Sequence, residues 1–414
     1  MKGDWKVKPL GQLCAIARGG SPRPIQSYLT DADDGINWIK ISDATASGKY
    51  IYYTAEKIKP AGAARSRVVG IGDFILSNSM SFGRPYIMRT TGCIHDGWLV
   101  LSRYEEAFVQ DFLYHLLGSP QVFAQFDRLA AGSTVRNLNI DLASRVVVPV
   151  PPLPEQRRII AILDEAFEGI ATAKANAEKS LQSAREILPT HVDALLEPTE
   201  ADWSTGPLSA FVESISTGPF GSMLHKSDYV TDGVPLVNPI NIVDGCIIPS
   251  SDKQIDDDTA ARLRSYLLRE GDIVVGRRGE IGRCAVVSSK QEGWLCGTGC
   301  FFIRPSPLVE PEFIAYLIRS RPYRARLEAA STGATMQNLS NSALSDLEVT
   351  LPRRAEQKRL LAALEAVRLQ TERLCETYRS KLAALDELKK SLLHQAFSGA
   401  LTAKSTEAQL EAVA

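Results

Sequence analysis

Three polar, glycine-bearing segments of the chain each occur twice, and their side-chain types suit contact with nucleic acid. The pairs are 19–23 with 217–222, 77–84 with 276–283, and 133–137 with 334–338. Arg, Asn, Gln, Ser and Thr side chains bind phosphate oxygens and base edges in the major groove. The sequence therefore predicts contacts by Ser21, Arg23, Ser77, Asn78, Ser79, Arg84, Thr134, Arg136, Asn137, Phe220, Ser222, Arg277, Arg278, Arg283, Thr335, Gln337 and Asn338.

These segments also have a plainer interpretation, because polar, glycine-rich loops often serve only to connect strands. The second pair favours contact most strongly. Its residues Arg277, Arg278 and Arg283 stand within residues 201–354, whose net charge is −2. A basic cluster in an acidic segment indicates a local binding patch.

No segment carries a catalytic signature. The run 276–283 lacks the Gly-Lys-Ser/Thr of a phosphate-binding loop and the strand–GxGxxG–helix order of a dinucleotide site. Residues 238–241 share only Asn-Pro with the Asn-Pro-Pro-aromatic motif of amino-methyltransferases. Cys296 and Cys300 have no second ligand pair, and the five histidines form no metal or triad pattern. We therefore predict no catalytic residue and no metal site.

Composition limits the class of protein. The 414 residues are 44% hydrophobic and 23% charged, which favours a soluble, globular chain of two or more domains. No stretch approaches the ~18 apolar residues of a membrane span, and the N-terminus has no signal-peptide core. Seven scattered cysteines without a CxxC pair indicate reduced thiols, so we predict a cytoplasmic protein.

The charge balance excludes DNA binding by general attraction. The net charge is −1, and along the chain it ranges only from −4 over residues 154–200 to +4 over residues 1–153. Binding through phosphates alone requires a strong basic excess. Any DNA binding must come from local patches, or from a complex in which a partner supplies much of the phosphate contact.

The chain contains an internal repeat, because the same landmarks occur in the same order in both halves. Chance produces single matches but not a series in the same order, so the repeat predicts two related globular domains. The matches include Asp4-Trp5 with Asp202-Trp203, Gly72-Asp73 with Gly271-Asp272, and Glu155-Gln156 with Glu356-Gln357.

A long helix with an apolar stripe follows each domain. Apolar or small residues occupy 163, 166, 170, 173, 177, 181 and 184, and adding 201 gives a second stripe with one polar member, Thr371. Steps of three and four residues indicate a helix packed on another helix, and the four–four step at 177–181 is a stutter. The predicted seam residues are Leu163, Ile170, Leu181, Leu364, Leu374 and Leu382.

Two such helices most simply pair with each other. About 40 residues make a helix roughly 60 Å long, more than one small domain can cover. A pseudo-twofold arrangement predicts an antiparallel coiled coil, and two ordinary bundle helices are the plainer alternative. Pro189 removes a helical hydrogen bond, so we predict a kink or break there.

The predicted fold class is mixed α/β, with two similar domains joined by the two helices. Strands are indicated at 35–41, 73–76, 144–148 and 272–275, and amphipathic helices around 109–118 and 311–320. The predicted organisation is a domain at 1–153, a helix at 154–200, a domain at 201–354, a helix at 355–400 and a tail at 401–414.

Together these features resemble the specificity subunits of type I restriction–modification systems. The resemblance covers nearly the whole chain. It rests on the paired landmarks, the Gly-Pro-Phe-Gly loop at 218–221 and the ending Leu-Leu-His-Gln-Ala-Phe-Ser-Gly at 392–399. It implies two target-recognition domains, each reading one half of a bipartite site in double-stranded DNA, and helices that act as a spacer.

The resemblance also implies that partners supply the chemistry. Two DNA methyltransferase subunits would dock on the helices, and restriction/translocase subunits would join them. Those partners would use S-adenosylmethionine and ATP, while this chain would hold no cofactor and act as a non-catalytic recognition subunit. Two alternatives stay open, namely a stand-alone DNA methyltransferase and a coiled-coil scaffold that contacts only proteins.

Overall fold

The computed structural model describes residues 5–78, 83–130, 137–197, 203–250, 253–332 and 338–403. The chain forms two compact units, unit 1 of Met1–Ala177 with Ser380–Ala414 and unit 2 of Glu178–Arg379. This division is not sequential, because each unit takes part of both long helices. We call residues 5–150 head 1 and residues 203–351 head 2.

Head 1 consists of short strands in two five-stranded sheets and one antiparallel ladder. Its strands are β1 Lys6–Pro9, β2 Ala15–Arg18, β3 Leu29–Thr30, β4 Ile36–Ile39, β5 Tyr50–Ile51, β6 Glu56–Ile58, β7 Arg67–Val69, β8 Phe74–Ser77, β9 Pro85–Met88, β10 Gly92–Ile94, β11 Trp98–Ser102 and β12 Val147–Val150. Its helices are α1 Ile41–Ser47, α2 Pro60–Ala63, α3 Gln110–Leu117, α4 Pro120–Ala130 and α5 Ile140–Ser144. The strand orders are β2-β11-β8-β9-β5 (the central sheet), β3-β6-β4-β10-β7 and β1-β12.

A long helix, α6 Leu153–Leu195, follows head 1 and leads to head 2. The strands of head 2 are β13 Ser204–Pro207, β14 Val212–Thr217, β15 Tyr229–Val230, β16 Val234–Val237, β17 Ile242–Val243, β18 Cys246–Ile247, β19 Gln254–Ile255, β20 Ile273–Gly276, β21 Cys284–Val286, β22 Leu295–Cys296, β23 Cys300–Pro305 and β24 Glu348–Leu351. Its helices are α7 Asp257–Arg262, α8 Pro311–Arg319, α9 Arg321–Ala330 and α10 Asn341–Ser345, and the second long helix α11 Arg354–Ser398 follows.

Head 2 repeats the topology of head 1. Its central sheet β14-β23-β20-β21 matches β2-β11-β8-β9, its second sheet β15-β19-β16-β22 matches β3-β6-β4-β10, and the ladder β13-β24 matches β1-β12. The predicted mixed α/β class and internal repeat are therefore confirmed. The predicted amphipathic helices are α3 and α8.

The central sheet of each head is buried on both faces. In β8, Phe74 and Leu76 pack into a core that includes α3 and α4, while Ile75 packs into a second core shared with the second sheet. Side chains alternate between faces along a strand, so a strand covered on both sides is a continuous apolar run. The run Ile-Val-Val at 273–275 is divided between two cores in the same way.

The long helices lie close to their predicted positions. Of the kink or break expected at Pro189, the break is wrong, and the kink stays a prediction. Helix α6 continues through Pro189 to Leu195. A proline inside a helix costs roughly 3 kcal/mol. Leu188, Val192 and Leu196 pack with the core of unit 2 on either side of it, which holds the helix together. None of the helices in the described ranges is long and apolar enough to cross a membrane.

Within each unit, the start of one long helix meets the end of the other. In unit 1 the contacts run in opposite directions along the two chain segments, as antiparallel pairing requires: Glu155 with Thr402, Phe167 with Lys389, and Lys174 with Asp386. In unit 2 the shared core joins the end of α6 to the start of α11 through Val192, Leu196, Leu360 and Leu364.

Burial along the predicted seam differs from expectation at one position. The buried members, none more than 9% exposed, are Leu163, Ile170, Leu181 and Leu364, and Leu382 is half-buried. Leu374 is 36% exposed, whereas the adjacent Cys375 is 6% exposed. In α11, the two consecutive steps of four residues therefore run from 367 to 371 and from 371 to 375. The apolar stripe of α6 predicts these two steps later in the helix. Consecutive steps of four shift the buried line around a helix, which moves Leu374 out of it.

Candidate nucleic-acid interface

In head 1, the described residues of the first two predicted contact segments and Leu138, directly after the third, meet at one end of the central sheet. Strands β2 and β8 end there, and β11, antiparallel between them, begins there. Three backbone hydrogen bonds of 2.9–3.0 Å join the segments: Gly19 N to Trp98 O, Asn78 N to Gly97 O, and Leu138 N to Asn78 O. We call residues 19–24, 78, 83–84, 95–97 and 137–138 loop end 1.

Head 2 has the same arrangement at the matching end of its central sheet. Its segments are joined by equivalent hydrogen bonds of 2.9–3.0 Å: Gly218 N to Cys300 O, Arg277 N to Gly299 O, and Leu339 N to Arg277 O. We call residues 218–222, 277–283, 297–299 and 338–339 loop end 2. The sequence matches each segment only with its counterpart in the other copy. The structure shows in addition that the described residues of the different segments lie together within each copy.

A glycine permits this convergence in both heads. A Cβ added to Gly19 would lie 2.0 Å from the carbonyl oxygen of His95, and one added to Gly218 would lie 2.0 Å from that of Gly297. No side chain fits so close an approach of two backbones. The first segment can therefore pack against the loop before the neighbouring strand only through glycine.

Asp96 ties loop end 1 together, and sequence reasoning did not single it out. Its carboxylate accepts a hydrogen bond from Ser21 Oγ at 2.6 Å and lies 3.4 Å from Arg23 Nη2, and its backbone oxygen accepts one from Asn78 Nδ2 at 2.9 Å. The Ser21 hydrogen bond is the main cause that lowers the pKa of the Asp96 carboxyl. The Asp-Gly pair at 96–97 is a turn signal that could have identified the loop but not its partners.

Each loop end contains buried polar atoms that have no hydrogen-bond partner among the described residues. They are Oδ1 of Asn78 and of Asn137 in head 1, and Nε of Arg277 and Oδ1 of Asn338 in head 2. Asn78 matches Arg277 at the end of the equivalent strand, and Asn137 matches Asn338. A buried polar atom without a partner costs about 1–3 kcal/mol. Buried polar atoms without a partner recur at matching positions of the two heads. Because they do not stabilise the fold, they indicate a binding site.

The exposed side chains differ between the two loop ends. Loop end 1 presents Arg84 and Arg23, the latter with 82% of its side chain exposed. Loop end 2 presents Arg278, Ser222 and Phe220, the last 67% exposed. The same backbone arrangement therefore carries different contact chemistry.

Two other predicted contact residues have structural partners. Ser77 is 1% exposed, and its Oγ accepts a hydrogen bond from the backbone nitrogen of Arg84 at 3.1 Å. Arg283 donates to the carbonyl oxygen of Pro239 at 3.1 Å and lies 2.6 Å from Glu280 Oε2. Their contact with nucleic acid stays a prediction that would require these bonds to open.

With this geometry established, comparison with known proteins decides the family. A family model described as the type I restriction modification DNA specificity domain matches residues 2–181 and 221–381. The chain belongs to this family. The resemblance that the paired motifs indicated is therefore confirmed, as is the role in DNA-sequence specificity.

Curated relatives of the family match over most of their own length. The chain is 23% identical to the EcoBI specificity subunit of Escherichia coli, over 91% of this chain and 82% of that protein. It is 21% identical to the EcoKI specificity subunit of Escherichia coli K12, over 97% of this chain and 90% of that protein. The MjaVIII specificity subunit of Methanocaldococcus jannaschii is 19% identical, over 97% and 94%.

Solved structures of the family share the fold. One, from work on complex assembly and conformational transition of the type I R-M system, has a TM-score of 0.77 and 20% identity, covering 97% of this chain and 99% of that one. The HsdS subunit of Thermoanaerobacter tengcongensis has a TM-score of 0.60 and 21% identity, covering 97% and 98%. At these identities the likeness shows the fold alone.

Five of the predicted contact residues lie outside the residues that the structure describes. The two cysteines considered for a metal site lie in the core of head 2. Ser79, Thr134, Arg136, Thr335 and Gln337 lie outside the described residues. The cysteines at 296 and 300 lie on β22 and β23, both fully buried, and burial raises the pKa of both thiols. Within the described ranges, no three His, Cys, Asp or Glu side chains are grouped as a metal site requires.

Proposed function

We propose that this chain reads an asymmetric, two-part site in double-stranded DNA, one half through each loop end. The observation that carries the proposal is that both loop ends share one backbone arrangement and present different side chains at matching positions. At these positions Ser21 corresponds to Phe220 and Arg23 to Ser222, and Asn78, 1% exposed, corresponds to the half-buried Arg277.

The differences correspond to different base preferences. Arginine pairs with guanine, asparagine with adenine, and an apolar side chain contacts the thymine methyl group. The unpartnered atoms of Asn78 and Arg277 support the proposal, since groups on DNA would satisfy them once the loops rearrange on binding. Two unlike readers on one scaffold would recognise two unlike half-sites.

We infer that the chain is non-catalytic and works with partners in the cytoplasm. The long helices would act as a spacer that docks two DNA methyltransferase subunits, which restriction/translocase subunits would join. S-adenosylmethionine and ATP would be held by those partners and no cofactor by this chain. A methyltransferase must take its target base out of the stack, so it needs a subunit that holds the duplex in a fixed register.

The test is to replace residues 1–150 by those of a relative with a different target, keeping every residue of both long helices. Ile159, Leu163 and Phe397 then still pack against the new head. Sequencing of methylated DNA from the assembled complex should show one half-site changed and the other retained. The reciprocal exchange of residues 203–351 serves as the control and should change only the other half.

A change of both half-sites by a single graft would refute modular reading. Assembly of the complex with no DNA retention by either graft or by the parent chain would instead support a scaffold that contacts only proteins.

A further inference from the structure

Unit 1 contains a basic cavity of about 360 Å³ that lies beside the contact segments of loop end 1. Its lining includes Lys49, Arg84, His115, Phe167 and Lys389. Arg84 directly precedes β9, and Lys49 directly precedes β5, which pairs parallel with β9. Both strands therefore begin at the loop end of the sheet, so the cavity extends this surface towards the long helices.

Aromatic rings hold two of the cationic groups in the cavity wall. Lys49 Nζ lies 5.0 Å from the ring centroid of Tyr114, and Lys389 Nζ lies 5.0 Å from that of Phe167. An ammonium group over a ring face gains about 0.5–1 kcal/mol at an exposed site. The two amines reach the cavity from different elements, one from the edge of the sheet and one from α11.

The cations of the cavity exceed what nearby carboxylates neutralise. Lys49 pairs with Asp111 at 2.7 Å. Neither Arg84 nor Lys389 has a carboxylate oxygen within 4 Å in the described part of the chain. Two further carboxylates lie near the cavity. Asp164, 58% exposed, lies 3.6 Å from His115, and Asp386, which pairs with Lys174, also feels the charge of Lys389.

His115 adds a ring nitrogen, Nε2, that lies 3.6 Å from Asp164 Oδ1, just beyond hydrogen-bond distance. Its Nε2 is buried and has no hydrogen-bond partner among the described residues. Burial, followed by the charge of Lys49, lowers the pKa of its imidazole. An incoming anion would accept a hydrogen bond from this nitrogen and relieve both effects.

The matching cavity of unit 2 has a charge-balanced lining, with Arg319, Arg321 and Arg368 set against Asp193, Asp244 and Glu372. There Leu188 stands at the position of Lys389, and Arg368 at that of Phe167. Arg368 pairs with Glu365 at 2.6 Å, and Arg321 with Glu186 at 2.5 Å. The basic cavity is therefore a feature of unit 1 rather than a general consequence of the repeated fold.

We propose that the cavity of unit 1 binds a phosphate group through Lys49, Arg84, His115 and Lys389. Donor groups that converge from a sheet edge, a short helix and a long helix suit a compact, multiply charged oxyanion better than a single carboxylate. Two sources share this chemistry, the DNA backbone next to loop end 1 and a free phosphate or nucleotide. The first source rests on the proposed function and the second does not.

The test compares Lys389→Ala with Lys390→Ala in the full chain. The two changes remove equal charge from neighbouring residues, but Lys390 pairs with Glu387 outside this cavity. In the first arm, duplex binding by the complex assembled with each chain is measured over a range of salt concentrations. Loss of one phosphate contact should lower the slope of log affinity against log salt by about 0.9, and Lys390→Ala should not. In the second arm, calorimetry measures binding of inorganic phosphate and ATP without DNA.

A slope change specific to Lys389→Ala supports the backbone source. Saturable binding of phosphate or ATP that Lys389→Ala abolishes supports the free source. Equal effects of the two variants, or no effect in either arm, overturn the site. Lys389→Arg keeps the charge and should retain binding, which separates loss of the contact from misfolding. Failure of the complex assembled with the parent chain to bind DNA would contradict the proposed function and leave the second arm to decide the site.

Discussion

Gln156 attaches the start of α6 to head 1, and its replacement by alanine should be among the most costly single changes in the chain. The side chain is fully buried. Its Oε1 accepts a hydrogen bond from Val109 N at 2.8 Å, and its Nε2 donates to Ala107 O at 2.8 Å and to Pro151 O at 2.9 Å. One amide group thus joins the segment before α3, the exit from β12 and the long helix.

The magnitude follows from the three backbone groups that Gln156→Ala would leave unpaired. Each buried group without a partner costs about 1–3 kcal/mol. Partial entry of water reduces the sum, so we expect a loss of about 3–5 kcal/mol in the free energy of unfolding of unit 1. Single domains have only about 5–15 kcal/mol of stability, so the change removes a large share.

Hydrogen exchange provides the assay, because it reports locally in a chain with two units. The amide of Val109 should exchange faster in Gln156→Ala by a factor of at least about 100, which corresponds to the lower end of the expected loss. Gln182→Ala, an exposed glutamine in the same helix, is the matched control and should leave the rate unchanged. Equal exchange in the two variants would refute the attachment role.

Two further predictions concern burial. Leu163→Ala should lower the unfolding free energy by about 2–5 kcal/mol because its side chain is fully buried, whereas Leu374→Ala, 36% exposed, should cost less than about 1 kcal/mol in denaturant unfolding. Similar costs would contradict the displaced seam. A thiol reagent at pH 8 should label Cys246 rapidly and Cys284 only after unfolding, because burial raises the pKa of Cys284 to about 11. Fast labelling of Cys284 in the native chain would contradict its burial.

The sequence predicts well those features that depend on local pattern. The positions of α3, α8 and the two long helices follow from apolar periodicity, which a helix imposes on nearby residues. The repeat of topology follows from landmarks in the same order. The burial of β8 and β20 on both faces is likewise visible as continuous apolar runs.

The features that the sequence did not predict depend on contacts between distant residues. Nothing local shows that Asp96 holds Ser21, 75 positions earlier. The continuity of α6 through Pro189 also depends on apolar contacts with residues far along the chain. Local propensity favours a break there, and packing against the core of unit 2 overrides it.

Comparison of the two copies within the chain distinguishes residues that fix the backbone arrangement from residues proposed to contact DNA. Two identical pairs, Gln156 with Gln357 and Asp73 with Asp272, have structural partners in both heads. Gln357 repeats the bonds of Gln156, with Glu310 N and Pro352 O each at 2.8 Å. Asp73 and Asp272 each accept a hydrogen bond from the backbone nitrogen three residues earlier, at 2.8 and 2.9 Å.

The positions at which the copies differ include the ones that face outward at the loop ends. Arg23 and Ser222 stand at the same place on one backbone, and the exposed Phe220 stands where head 1 has Ser21, which is hydrogen-bonded to Asp96. A backbone arrangement that keeps its hydrogen bonds despite such exchanges allows one head to acquire a new base preference. The base preference of the other head is then retained. That independence is what an asymmetric target requires, and it is the reason why exchanging one head should change only one half of the site.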